Sequence, residues 1–174
     1  MQSKESIMDM IIKDPEGYAK YKANNPEGQD LSEVDFSNTT LENIDFSYTD
    51  LSGTSFADCA LSNCNFSNAD LNATDFKHAR VVECDFTEAI LNGTDFSYAE
   101  VSYCNFPDAD MTGCILLETD LSNSDLSSSQ NLAASRADET TIWPDEEFLP
   151  EDFDTNYTDK DDEENEESSY ESDY

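Results

Sequence analysis

The chain has little with which to do chemistry. It holds a single histidine, His78, and its five cysteines never fall in a C-x-x-C spacing. A metal centre needs several such ligands close together, so neither a metal nor a cofactor is expected. There is no glycine-rich phosphate loop, because Gly53, Gly93 and Gly113 stand 20 or 40 residues apart. No apolar run approaches the ~20 residues that cross a bilayer, and the N-terminus has no secretory h-region. The expectation is a cytoplasmic chain without a membrane partner. Bases are scarce as well: eight Lys and Arg face 41 Asp and Glu, for a formal net charge of −33. Such a body repels phosphate, which excludes direct nucleic-acid binding. His78 lies between Lys77 and Arg80 at a variable position and reads as surface. No catalytic residue is expected, and the chain is read as a non-enzyme.

What the chain does have is a period of five. From Leu31 an apolar residue occupies every fifth position in alternating type, Leu31, Phe36, Leu41, Phe46, Leu51, Phe56, and on without an insertion to Leu126. That makes 20 consecutive units and takes in eight of the ten phenylalanines. The period fits neither a helix nor a strand, so each unit must bury its apolar residue by stacking on others. Two positions before nearly every apolar centre stands a small or β-branched residue, such as Thr54, Ala69, Thr74 or Thr94. Cys59, Cys64, Cys84, Cys104 and Cys114 all occupy this same slot, which makes them buried thiols in the core.

Units such as Ala69-Asp70-Leu71, Thr94-Asp95-Phe96 and Ala109-Asp110-Met111 resemble the pentapeptide-repeat family, whose unit is a small residue, Asp or Asn, Leu or Phe, and two variable residues. The resemblance implies an all-β fold, a right-handed quadrilateral parallel β-helix with four units per coil. Twenty units then give about five coils and, at a ladder spacing of about 4.8 Å, a solenoid roughly 24 Å long. Sorted at 20 residues per coil, the phenylalanines fall on two opposite faces.

A solenoid needs closed ends. Residues 1–28 are read as a helical N-terminal cap, with Ile7, Met8, Ile11 and Ile12 on one short helix and Asp14-Pro15 starting a second that carries Tyr18 and Tyr21. Residues 29–132 form the β-helix. The register ends after Leu126, and Ile142, Trp143, Pro144, Phe148 and Leu149 point to a C-terminal cap over 133–155. Residues 156–174 are almost wholly polar and read as a disordered acidic tail. Oligomeric state is left open, a dimer through a cap being one route.

Charge carries the functional reading. Residues 31–130 hold 18 acidic and two basic residues, net −16. Over about 24 Å that is one net charge per roughly 1.5 Å, against about 1.7 Å in duplex DNA. The aspartates form rows: Asp30, Asp50, Asp70 and Asp110; Asp35, Asp75 and Asp95; Asp45, Asp85 and Asp125. The partner should therefore be a basic protein surface. The family resemblance adds members that mimic duplex DNA and occupy the DNA groove of type II topoisomerases. Carried over, it implies an acidic mimic whose aspartate rows meet the DNA-binding cleft of DNA gyrase, another topoisomerase or a nuclease. In the alternative reading the chain is a general interaction scaffold or effector, contacting its target through Tyr48, Tyr98 and Tyr103, with acidity serving solubility. The tail run Asp161, Asp162, Glu163 and Glu164 is a further candidate contact for a basic partner.

Overall fold

The computed structural model describes residues 2–151 and 153–155. Each five-residue unit is a short extended segment and a tight turn. Two residues after each apolar centre, eighteen consecutive corner residues from Glu33 to Glu118 have φ between 52 and 68°. A type II turn requires this left-handed conformation at its third residue. The turns close where the fourth residue donates back to the centre, as Thr54 N–H does to the Leu51 carbonyl at 3.0 Å and Thr74 N–H to Leu71 at 3.1 Å.

Residues 20 apart then meet in parallel register, for example Asp30 with Asp50, Asp50 with Asp70, and Asp75 with Asp95. On one side the pairing is continuous enough to form strands. These are β1 (Thr40–Glu42), β2 (Ala60–Ser62), β3 (Arg80–Val82) and β4 (Glu100–Ser102), a parallel sheet in chain order. The result is the right-handed quadrilateral β-helix, with Leu41, Leu61, Val81 and Val101 stacked in one register.

Apolar centres from Leu31 to Leu126 fill the interior. Phe36, Phe56, Phe76 and Phe96 stack with ring centroids 4.8 to 5.2 Å apart. Phe46, Phe66, Phe86 and Phe106 stack at 4.9 to 5.1 Å. The two columns meet edge to face across the core at 5.7 to 6.3 Å. The small slot beside each centre has a polar duty as well. Thr54, Thr74 and Thr94 donate their hydroxyls to the carbonyls of Leu31, Leu51 and Leu71 at 2.7 to 2.9 Å. Cys59 and Cys114 donate their thiols to Phe36 and Leu91 in the same way, at 3.0 and 3.1 Å. All five cysteines are free and buried.

At the N-terminus α1 (Lys4–Lys13) and α2 (Pro15–Asn24) lie against the first coil and bury Ile7, Ile11 and Tyr18. Ser3 caps α1 by accepting from Ser6 N–H, and Asp14 caps α2 by accepting from Gly17 N–H, with Pro15 in the first turn. Gly28 leads into the solenoid at φ 85°, where a β-carbon would stand 1.7 Å from the Tyr48 carbonyl oxygen.

The ladder does not stop with the five-residue period. Asp110 pairs with Gln130, Ile115 with Arg136 and Asp120 with Ile142, so the offset grows from 20 to 21 and then 22 residues. One residue is accommodated at Asn131, which takes φ 58°, and another between Arg136 and Ile142. Leu132, Ala137 and Leu149 supply buried apolar residues to this irregular last turn of the solenoid. Of the apolar residues that follow, Pro144 and Leu149 face inward and Trp143 packs edge-on against Phe153 at 5.0 Å, whereas Ile142 and Phe148 are exposed.

Candidate functional site

The expected aspartate rows are present as in-register ladders, each with interruptions. Ile90 stands between Asp70 and Asp110, Ser55 between Asp35 and Asp75, and Asn65 and Asn105 alternate with Asp45, Asp85 and Asp125. Asp30 and Asp35 are exposed and the other eight half-buried. Asp120, below Glu100 on the fourth face, extends the same pattern. Its position immediately before a centre would have identified it from sequence.

Every one of the ten aspartates uses its Oδ1 for the fold. Oδ1 accepts from the backbone N–H two residues on: Ser32, Ser37, Ser47, Ser52, Asn72, Lys77, Thr87, Ser97, Thr112 and Ser127 donate at 2.8 to 3.1 Å. These are Asx turns, which fix the backbone as it enters each corner. Asn65 makes the identical bond to Ser67 N–H at 2.9 Å without a charge. The turn therefore needs the oxygen and not the carboxylate.

Hydrogen bonding keeps several of these groups ionised well into acid. Lys4 and Ser32 hold Asp30 down at about 2. Ser37 lowers Asp35, and Asn131 with Thr112 lowers Asp110. For Asp95 burial pushes upward, and the bonds from Lys77 and Ser97 outweigh it. The two bases of residues 31–130 are both spoken for, Lys77 by Asp95 at 2.7 Å and Arg80 by Glu100 at 3.2 Å. The surface of the repeat thus presents carboxylate oxygens with no unpaired cation of its own among residues 31–130.

The three tyrosines of the alternative reading are exposed and do not converge. Tyr48 and Tyr98 occupy corners on the two opposite phenylalanine faces, and Tyr103 a corner of the sheet face. Tyr98 stacks on His78 with centroids 4.9 Å apart, which places that histidine in a surface aromatic pair. Asp161, Asp162, Glu163 and Glu164 lie outside the described residues. Among the described residues no group of His, Cys, Asp and Glu is arranged to hold a metal ion, and no helix is long and apolar enough to cross a membrane.

Comparison with known proteins places this geometry. The family model described as pentapeptide repeats matches in eight copies, over residues 30–68, 49–87, 69–102 and 89–127. No curated protein sequence matches. Among solved structures, a pentapeptide repeat protein from the cyanobacterium Cyanothece 51142 is 17% identical, with 71% of this chain and 96% of that chain covered and a TM-score of 0.45. One from the Arabidopsis thaliana thylakoid lumen is 32% identical over 66% of this chain and 67% of that chain, with a TM-score of 0.31. A trypsin-treated form of QnrB1, a plasmid-mediated fluoroquinolone resistance protein, is 18% identical over 75% of this chain and 85% of that chain, with a TM-score of 0.34.

Proposed function

Because the chain belongs to the pentapeptide-repeat family, in which the coil itself orders the surface side chains, we propose that it is a non-enzymatic protein-binding module whose aspartate rows imitate the charge of duplex DNA. Its target is the DNA-binding cleft of an enzyme, of which DNA gyrase, other topoisomerases and nucleases are the classes to test. One observation carries this reading. Asn65 builds the same Asx turn as the aspartates, so the fold does not call for charge at these positions. Carboxylates nevertheless stand in direct register, as at Asp50 and Asp70, where like charges facing each other across a ladder are destabilising. A charge that the fold does not need and that works against it suits a surface made for a basic partner.

The linear density supports the same reading. Ring stacks at 4.8 to 5.2 Å per coil set the rise, and −16 over five coils is about one charge per 1.5 Å, close to the roughly 1.7 Å of DNA. Lysines and arginines arranged for phosphates would meet carboxylate oxygens at similar intervals, and association would be steered by the field of the whole body.

The test is inhibition of type II topoisomerase supercoiling and of nuclease cleavage by the full chain, repeated with the Asp50→Asn, Asp70→Asn, Asp110→Asn triple variant. The native protein should bind at low salt and weaken steeply as salt rises, because exposed charges are screened over about 8 to 10 Å. The triple variant should fold normally and bind less. Absence of affinity for every DNA-handling enzyme at low salt would sink the proposal.

A further inference from the structure

At the C-terminal end a corner cleft of about 420 Å³ opens between the solenoid and the last turn, and its walls include Tyr103, Asn105, Asn123, Asp125, Asp145 and Phe148. We propose that this cleft is a subsite for an arginine side chain of the protein partner, an inference that rests on the reading of the chain as a binder of basic protein surfaces.

Two of the walls are aromatic rings that the fold leaves in water. Tyr103 is 61% exposed and Phe148 40%. Tyr103 stands at φ 56° in a column whose corners at Asn43 and Asn63 are asparagines, the residue suited to a left-handed corner. Nothing in the turn calls for a ring there. Phe148 is one of the two phenylalanines off the five-residue register, and its backbone carbonyl, not its ring, ties it to the ladder by accepting from Leu126 N–H at 2.8 Å.

The other walls are carboxylates with capacity to spare. Asp145 precedes the short turn Glu146–Phe148 and makes no side-chain cap hydrogen bond there, in contrast to all ten row aspartates. Asp125 commits Oδ1 to the N–H and hydroxyl of Ser127, at 2.9 and 2.6 Å, which leaves Oδ2. Exposed rings beside carboxylates select a particular cation. A guanidinium is flat and weakly hydrated, stacks on aromatic faces and forks onto carboxylate oxygens. An ammonium lacks the plane, and a neutral ligand lacks the charge.

The experiment is a titration of the ¹⁵N-labelled full chain with N-acetyl-arginine amide, with N-acetyl-lysine amide and N-acetyl-citrulline amide as comparisons. Arginine should shift the amides of Tyr103, Asn123, Asp145 and Phe148 saturably. Lysine should bind about tenfold more weakly, and citrulline, which keeps the shape without the charge, not at all. Phe148→Ala and Asp145→Asn alter exposed side chains and should each weaken arginine binding several-fold with an unchanged fold. Equal shifts from citrulline or lysine, shifts spread evenly along the aspartate rows, or unchanged binding in both variants would each overturn the assignment. Loss of the arginine site with salt-sensitive enzyme inhibition intact removes this subsite alone. Saturable arginine binding without affinity for any DNA-handling enzyme supports the subsite and removes the mimic.

Discussion

Tyr18 donates its hydroxyl to the carbonyl oxygen of Asp45 at 2.8 Å, an acceptor that the ladder would otherwise assign to a backbone N–H of a preceding coil. One coil later the same position is filled by Phe46 N–H bonding to the Asn65 carbonyl. Twenty residues before Phe46 stands Pro26, which has no N–H to give. Lys22 Nζ does the same for the Ser47 carbonyl, and Lys4 Nζ for that of Ser32 at 2.9 Å. Side chains of the two helices thus replace the hydrogen bonds of a missing coil, which is how this edge of the ladder is closed.

Tyr18→Phe removes only the donor and leaves the Asp45 carbonyl without a partner. The expected loss is about 1–3 kcal/mol in denaturant unfolding. Tyr21→Phe, on the half-buried neighbour in the same helix, should change stability far less. Hydrogen exchange should speed up in the first coil of the Tyr18→Phe protein and hardly at all beyond it. Uniform loss of protection along the solenoid would contradict this account of the cap.

The phenylalanine columns predict a gradient between centre and end. Phe76 stacks on Phe56 at 5.0 Å and Phe96 at 4.8 Å, whereas among the described residues Phe106 stacks on Phe86 alone, at 4.9 Å. Phe76→Ala should cost on the order of 3–5 kcal/mol by cavity formation. Phe76→Leu should cost more than Phe106→Leu by about one stacked pair, roughly 0.5–1.5 kcal/mol. Equal effects in thermal or chemical unfolding would show that burial alone, and not stacking, sets the cost.

The thiols should be silent in the native protein. Cys59 and Cys114 are pushed above the ordinary thiol range by burial, and Cys64 by hydrogen bonding to Cys84 and by burial. Cys84 is pushed up to about 12, its bond to Cys104 and burial outweighing the opposing bond from Cys64. Because the thiolate is the reactive form and all five sulfurs are buried away from the reagent, a disulfide reagent at pH 8 should label none of the five until denaturant opens the coils. Rapid stoichiometric labelling without denaturant would mean that the coils breathe.

Acid should remove a specific contribution at Asp30. Its folded-state value lies near 2, below the roughly 3.9 of an unfolded aspartate. A depressed carboxylate stabilises the fold fully above its unfolded value, and that stability is lost as pH falls through the folded one. The stability difference between native protein and an Asp30→Asn variant, which cannot keep the 2.6 Å ion pair with Lys4, should hold steady above about pH 4 and shrink toward pH 2. A difference that grew in acid would reverse the assigned sign.

Much of this was legible from residue order because one period controls both the core and the surface. Leu31 to Leu126 declare the inward residues, and a coil of 20 places the aspartates in rows. Where the period fails, so does the reading. The extra residues near Asn131 and before Ile142 shift the register by one and two, so a ladder that continues looks in sequence like one that has ended. Lys22 looks like a surface lysine on a short helix, because the acceptor that draws it inward, the Ser47 carbonyl, lies 25 residues away and belongs to the backbone. Phe148 is apolar and sits beside Leu149, yet only Leu149 is buried. Composition does not distinguish the inward residue from the outward one once alternation is lost.

The separation of oxygen from charge at the corners gives the sharpest prediction. Asp70 accepts from Asn72 N–H at 3.0 Å and stands in register with Asp50 above it. Asp70→Asn retains an acceptor, as Asn65 shows, and removes one of two facing charges, so stability should be unchanged or slightly raised. Asp70→Ala removes the acceptor as well and should cost about 0.5–1.5 kcal/mol. Salt provides the internal check. Screening should stabilise the native protein more than the Asn variant, since only the native row has that repulsion to lose. Equal costs for Asn and Ala in denaturant unfolding would mean that the carboxylate itself is part of the turn, and that the acidic rows are a requirement of the fold and no argument for a basic partner.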